Sequence, residues 1–190
     1  MCGIVGYIGT EQAAPIILDG LSKLEYRGYD SAGMAIFDGE KINTRKAVGR
    51  LKVLENLTHG GENMKGTSGI GHTRWATHGA PSDINSHPHM NNAGTIAVVH
   101  NGIIENYIPL KKKMQDKGYQ FVSETDTEVL AHLLDYYYKG NPLEAITKVL
   151  HRVEGSYALG IMFADQPYKI FAARKDSPLI VGINDTGKFI

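Results

Sequence analysis

Cys2 is the single cysteine in a chain of 190 residues, and it directly follows Met1. With Met1 removed, one residue would carry both a thiol and a free α-amino group. A thiol near pKa ~8.5 and an amine near ~7.7–8.0 titrate close enough to exchange a proton near neutrality. That is a nucleophile carrying its own base, one of the arrangements that activate Cys, Ser or Thr. The plainer alternative is a cysteine that happens to begin a strand.

Other polar residues stand where catalytic groups tend to be, at strand ends and in glycine loops. Arg74 and Trp75 follow a strand-like run, with Thr77, His78 and Gly79 next. Asn101 and Gly102 close another such run, and Asp126 opens a helical stretch. Each has a bland counterpart. Arg74 suits a surface ion pair and Trp75 a core position. Asn101-Gly102 is above all a turn dipeptide, and Asp126 suits a helix start.

Histidines 72, 78, 87, 89 and 100 raise the question of a metal, and His87-Pro88-His89 has a usable spacing. HExxH is absent, as are a second cysteine and a carboxylate cluster, so no metal is expected. The chain also lacks GxxxxGK[ST], and Gly3-x-x-Gly6-x-x-Gly9 has the wrong spacing for a dinucleotide loop. No cofactor is called for.

Positioning these groups requires strands and helices in blocks. Residues 2–8 read as a strand and 11–26 as a helix, with Ile17, Leu18, Leu21 and Leu24 on one face and Thr10 as N-cap. Residues 32–37 and 41–48 form a hairpin about Asp38-Gly39. A short helix spans 50–57, and strands span 70–75 and 95–100, the latter ending at Asn101-Gly102; 83–92 is loop. Helices follow at 107–117 (closed by Gly118), 125–138 and 142–153, with Pro142 at the first position. Strands at 156–164, 169–174 and 179–183 complete the order. The pattern fits antiparallel sheets layered with helices better than a doubly wound parallel fold. Residues 187–190 read as the start of a further strand, so the domain is expected to be truncated at its C-terminal end.

The formal net charge is +0 and the pI about 7.1, which gives no cause to expect nucleic acid or an acidic membrane surface as partner. The longest apolar runs are too short for a membrane span, and residues 1–10 lack a signal-peptide n-region. A lone cysteine fits a reducing compartment, so the cytoplasm is expected.

CGIVG at 2–6 resembles the start of the class II, N-terminal-nucleophile glutamine amidotransferases. LEYRGYDSAG at 24–33, HTRWATHG at 72–79, HNGIIEN at 100–106 and SETDTE at 123–128 narrow the likeness. Together they are similar to the glutaminase domains of glutamine–fructose-6-phosphate aminotransferases, and the similarity runs from residue 2 to the end. It implies an α+β fold, a four-layer αββα sandwich of two antiparallel sheets of the N-terminal nucleophile hydrolase type.

It also implies that L-glutamine is cleaved to glutamate and ammonia through a thioester on Cys2. In that scheme the Asn101 side chain and the Gly102 N–H hold the oxyanion. Arg74 takes the substrate α-carboxylate and Asp126 its α-amino group. Thr77 and His78 lie on a lid over 74–81, Trp75 lines the ammonia exit, and Arg27 orders the surroundings of the nucleophile. Sugar-isomerase domains that bind fructose-6-phosphate would complete the full-length chain, as a homodimer; none of that part lies in 1–190. A sensor that binds glutamine without cleaving it would keep Arg74 and Asp126 but not need Cys2, Asn101 or Gly102.

Overall fold

Strands with apolar residues of both parities need cover on both faces. Residues 96–99 and 157–163 are buried at every position, odd and even alike. The protein meets this demand with two face-to-face sheets and helices outside them, as described by a computed structural model for residues 2–190. The expected removal of Met1 falls outside the described residues.

In chain order the elements are β1 (Gly3–Gly9), α1 (Ala13–Ser22), β2 (Ser31–Phe37), β3 (Ile42–Val48), α2 (Leu51–Leu57), β4 (Ser68–Arg74), β5 (His89–Met90) and β6 (Ile96–Ile104). They continue with α3 (Tyr107–Gln115), α4 (Glu128–Tyr137), α5 (Pro142–Leu150), β7 (Gly155–Phe163), β8 (Phe171–Lys175), β9 (Gly182–Ile183) and β10 (Gly187–Phe189). Among the described residues one sheet has the order β3-β2-β4-β1-β10-β9 and the other β5-β6-β7-β8. Every neighbouring pair is antiparallel.

Ile4, Ala35, Ile70, Ala97, Val99, Ala158 and Met162 fill the space between the sheets. The opposite parity of the same strands faces the helices. Val5, Tyr7, Met34 and Ile36 pack with Ile17, Leu21 and Leu54 of α1 and α2. Ile96, Val98, Leu159 and Ile161 pack with Leu130, Leu134 and Ile146 of α4 and α5. Each buried Val, Leu, Ile or Met among them contributes on the order of 1.5–3 kcal/mol by leaving water. The result is the expected four-layer αββα sandwich.

Local differences from the sequence reading have physical causes. Helix α1 is capped by Gln12, not Thr10, whose hydroxyl instead donates to the Thr186 carbonyl at 3.3 Å. Pro15 has no N–H to give to the Glu11 carbonyl, so the helix cannot reach further back. Its expected last turn is separate, a 3-10 turn over Glu25–Arg27. Within the region read as loop, His89 and Met90 pair with Val98 and Ala97. Residues 179–181 are not strand, whereas β10 pairs with β1 and Ile190 exchanges two backbone hydrogen bonds with Gly6.

Two differences concern candidate site residues. Asn101-Gly102 is not a turn: β6 runs through it to Ile104, pairing Asn101 with Ala158 and Gly102 with Tyr157. The long partner strand β7 supplies a ladder that overrides the local preference. Asp126 is not in the first turn of a helix, because α4 is capped by Thr127 and starts at Glu128. The Glu128 carboxylate accepts from the N–H groups of Val122 (3.0 Å) and Ser123 (2.7 Å) and from the Ser123 hydroxyl (2.6 Å). Those bonds keep 123–127 in a tight loop outside the helix.

Candidate active site

The pairing of β1 with β4 sets Gly3 against Thr73, so Cys2 lies beside Arg74 and Trp75. The Trp75 N–H donates to Cys2 Sγ at 3.2 Å, and the thiol lies 3.6 Å from the Trp75 carbonyl oxygen. From the facing sheet, Asn101 Nδ2 donates to the Cys2 carbonyl at 3.2 Å. Burial pushes the Cys2 thiol up, with Asp30 adding to it; the Trp75 N–H and Arg74 pull the other way without cancelling it.

Two adjoining cavities meet at Cys2. A cleft of about 730 Å³ is lined by Cys2, Leu24, Arg27, Trp75, Thr77, Asn101, Gly102 and Ile103, among others. A pocket of about 20 Å³ is lined by Cys2, Arg74, Trp75, Thr77, His78, Gly102 and Asp126, among others. All nine residues singled out from the sequence therefore border one or both. The first cleft is mainly apolar, and the second holds the charged groups.

Arg74 is not a surface ion-pair residue, being 3% exposed. Its Nη2 donates to the carbonyls of His78 and Gly79, the latter at 3.0 Å. Its Nη1 is buried without a hydrogen-bond partner among the described residues. Burial lowers the guanidinium's pKa, opposed by Asp30, Cys2 and Asp126. Asp126 Oδ2 accepts from the Ile104 N–H at 2.7 Å, which ties the loop before α4 to the end of β6.

Trp75 is not core: it is 47% exposed and stands edge-on to Tyr29, ring centroids 5.5 Å apart. His78 meets the Tyr107 ring edge-on at 5.4 Å, and Thr77 is exposed beside it. Arg27 sits in the 3-10 turn, where the next residue is close to the nucleophile's neighbours. A Cβ on Gly28 would lie 2.7 Å from the Arg74 carbonyl carbon and 3.0 Å from the Trp75 nitrogen, so only glycine lets this turn approach. Gly102 has φ +132°, and a Cβ there would lie 2.1 Å from the Ser156 oxygen.

Sequence reasoning gave Asp30 no role in the site and weighed His72 only as a metal ligand. The Asp30 carboxylate accepts from the Ala76 N–H and, at 3.1 Å, from the Ser31 hydroxyl, fixing the start of the 75–79 loop. His72 is buried between the sheets, stacked on His87 with ring centroids 4.1 Å apart, and His87 meets His89 edge-on at 4.7 Å. His100 N–H donates to His87 Nδ1 at 3.3 Å. Burial holds His72 down at about 3 and lowers His87, His89 and His100 as well. Period-two spacing was the available signal: Ile70, His72 and Arg74 share the inward parity of β4. Among the described residues, no group of three or more His, Cys, Asp or Glu is arranged to hold a metal ion, and no helix is long and apolar enough to cross a membrane.

Residues 72–190 match the family described as a glutamine amidotransferase domain. All of the chain aligns with glutamine–fructose-6-phosphate aminotransferase (isomerizing) of Caldanaerobacter subterraneus subsp. tengcongensis at 64% identity, and with that of Clostridium tetani at 63%. It spans about 31% of the length of each of these relatives. Among solved structures, glutamine phosphoribosylpyrophosphate amidotransferase from B. subtilis superposes on the whole chain with a TM-score of 0.85 and 30% identity, the chain covering 41% of it. The fold is thus that of the class II, N-terminal-nucleophile amidotransferases. The chain belongs to the glutamine amidotransferase domain family.

Proposed function

We propose that the chain hydrolyses the side-chain amide of L-glutamine to glutamate and ammonia through a thioester on Cys2. The observation that carries this reading is the convergence of Cys2, Asn101 and Gly102 on one cleft, adjoined by a pocket holding Arg74 and Asp126. Because burial raises the thiol's pKa, the sulfur is protonated at neutral pH and needs a base. The α-amino group of Cys2, freed by loss of Met1, takes that proton. The sulfur attacks the amide carbon, and the oxyanion is held by Asn101 Nδ2 and the Gly102 N–H. Each donor stabilises the transition state by roughly 3–4 kcal/mol. The amine then returns the proton to the departing ammonia, and water cleaves the thioester, restoring the thiol and releasing glutamate.

Arg74 takes the substrate α-carboxylate through its unpartnered Nη1, and Asp126 takes the α-amino group. The pocket of about 20 Å³ has room for roughly one water. The 75–79 loop, with Trp75, Thr77 and His78, therefore opens to admit glutamine and closes over it. Arg27, in the cleft beside Cys2, orders the nucleophile's surroundings. In a longer protein, which we place in the cytoplasm as a homodimer, the ammonia would pass to sugar-isomerase domains and convert fructose-6-phosphate to glucosamine-6-phosphate. Residues 1–190 belong to the amidotransferase domain of that protein.

The test is mass spectrometry of Met1-free protein incubated with an electrophilic diazoketone analogue of glutamine. One adduct on Cys2 is expected. A folded, Met1-free sample that takes up none would overturn the proposal.

A further inference from the structure

A carboxamide has two orientations of nearly the same shape, one with its oxygen and one with its NH2 toward a given neighbour. Only one of them lets Asn101 donate toward Cys2. The structure contains a device that selects it. His72 Nε2 lies 3.0 Å from the His100 carbonyl oxygen and 2.9 Å from Asn101 Oδ1. A backbone carbonyl can only accept, so Nε2 is the protonated ring nitrogen. Being a donor, it must meet the oxygen of Asn101, which turns the NH2 to the opposite side, 3.2 Å from the Cys2 carbonyl. Reversing the amide would set N–H against N–H at His72 and C=O against C=O at Cys2.

The ring itself is held in place. His72 is 1% exposed and stacks on His87 with the planes 17° apart. Its Nδ1 is buried with no hydrogen-bond partner among the described residues, so nothing there competes for the proton. We propose that His72 is a positioning residue that locks the Asn101 carboxamide with its NH2 toward Cys2. This rests on the reading of Asn101 as oxyanion donor. His72 touches no reacting atom; it acts through Asn101.

The experiment compares glutaminase kinetics of the Met1-free chain with those of His72→Phe, His72→Gln, Asn101→Ala and the double variant His72→Phe/Asn101→Ala. Phenylalanine keeps the ring and removes the donor. It is expected to lower kcat on the order of 10- to 100-fold with KM changed less than twofold. His72→Gln, which restores an N–H, should recover most of that loss. On the Asn101→Ala background, His72→Phe should lower kcat no further. An equal loss with and without Asn101 would mean that His72 supports the fold generally, and the proposal would fail while the oxyanion reading stood. If Asn101→Ala kept its kcat, the oxyanion reading would fail and His72 would have nothing to position. The wild-type protein provides an independent check that does not depend on any variant folding. Nitrogen-15 NMR of the imidazole should show the Nε2–H tautomer at His72, and an Nδ1–H tautomer would overturn the proposal.

Discussion

Mild acid should weaken this fold far above the range where carboxylates protonate. His72 is held at about 3 by burial, partly offset by its hydrogen bonds to Asn101 and His100 and reinforced by the nearby Arg74. In the unfolded chain it titrates near ~6.5. Its folded value is the lower one, so the stability it contributes is complete above ~6.5 and is lost as pH falls toward the folded value. At pH 5.5 the unfolded state is favoured by RT ln(1 + 10), about 1.4 kcal/mol, for this histidine alone.

Burial also holds His87 and His89 well below the ordinary value, with Lys46 and Arg74 adding to the effect at His89 and Glu128 opposing it. His87 and His89 act in the same direction, so the loss at pH 5.5 exceeds that of His72 alone. His100 is lowered too, against the pull of Asp126. Glu128 enters later. Burial would raise it, but His132 close by and hydrogen bonds from the Ser123 hydroxyl and the Val122 and Ser123 N–H groups hold it at about 2, so its contribution is lost as pH falls from ~4.5 toward 2. Urea unfolding followed by far-UV circular dichroism at pH 7.5, 6.5, 5.5 and 5.0 checks this. The free energy should fall across 6.5 to 5.0 with a slope of at least about 1 kcal/mol per pH unit. A flat profile between pH 7 and 5 would refute the reasoning, because it would mean that these histidines charge equally in both states.

Three further outcomes are expected. Asn101→Ala should lower the kcat of glutamine hydrolysis by about 10²–10³ and leave KM nearly unchanged, as measured by ammonia release; a raised KM with intact kcat would remove Asn101 from the oxyanion role. Arg74→Lys keeps the charge but loses the planar fork, and should raise KM for glutamine about tenfold or more, read from initial rates. Gly102→Ala must place a Cβ 2.1 Å from the Ser156 oxygen at a φ of +132°, so it should lower Tm by several degrees and abolish turnover; a variant with wild-type Tm would show that β6 and β7 can part there without loss.

What could be read from the sequence follows from range. Ile17, Leu18 and Leu21 on the apolar face of α1, the Asp38-Gly39 hairpin and Pro142 at the start of α5 are local signals, and each appears where it was expected. Asn101-Gly102 is a case where a local signal points the wrong way: the dipeptide favours a turn, yet nine residues of β7 pair with β6 through it. Asp126 likewise has the local look of a helix start, but the Glu128 carboxylate caps the loop and α4 begins later. His72 carried a legible parity and no legible role, because its partner lies 29 positions away on the other sheet.

The site is assembled by stacking rather than by any single element. Cys2 and Arg74 belong to the end of one sheet, Asn101 and Gly102 to the strand facing it, and Asp126 to a loop tied to that strand through Ile104. The contact that joins the halves, Asn101 to Cys2, spans 99 positions of chain. Its length is set by what lies between the sheets. Near the core centre that layer is apolar, built from Ala35, Ala97 and Ala158 beside Ile4, Ile70 and Val99. At the site end the apolar filling gives way to His72 and His87, flat rings stacked at 4.1 Å that fill the layer and also present an N–H to Asn101. A leucine there would fill the same space and leave the carboxamide unoriented. The buried polarity that makes the fold acid-sensitive is therefore the same polarity that turns Asn101 toward Cys2.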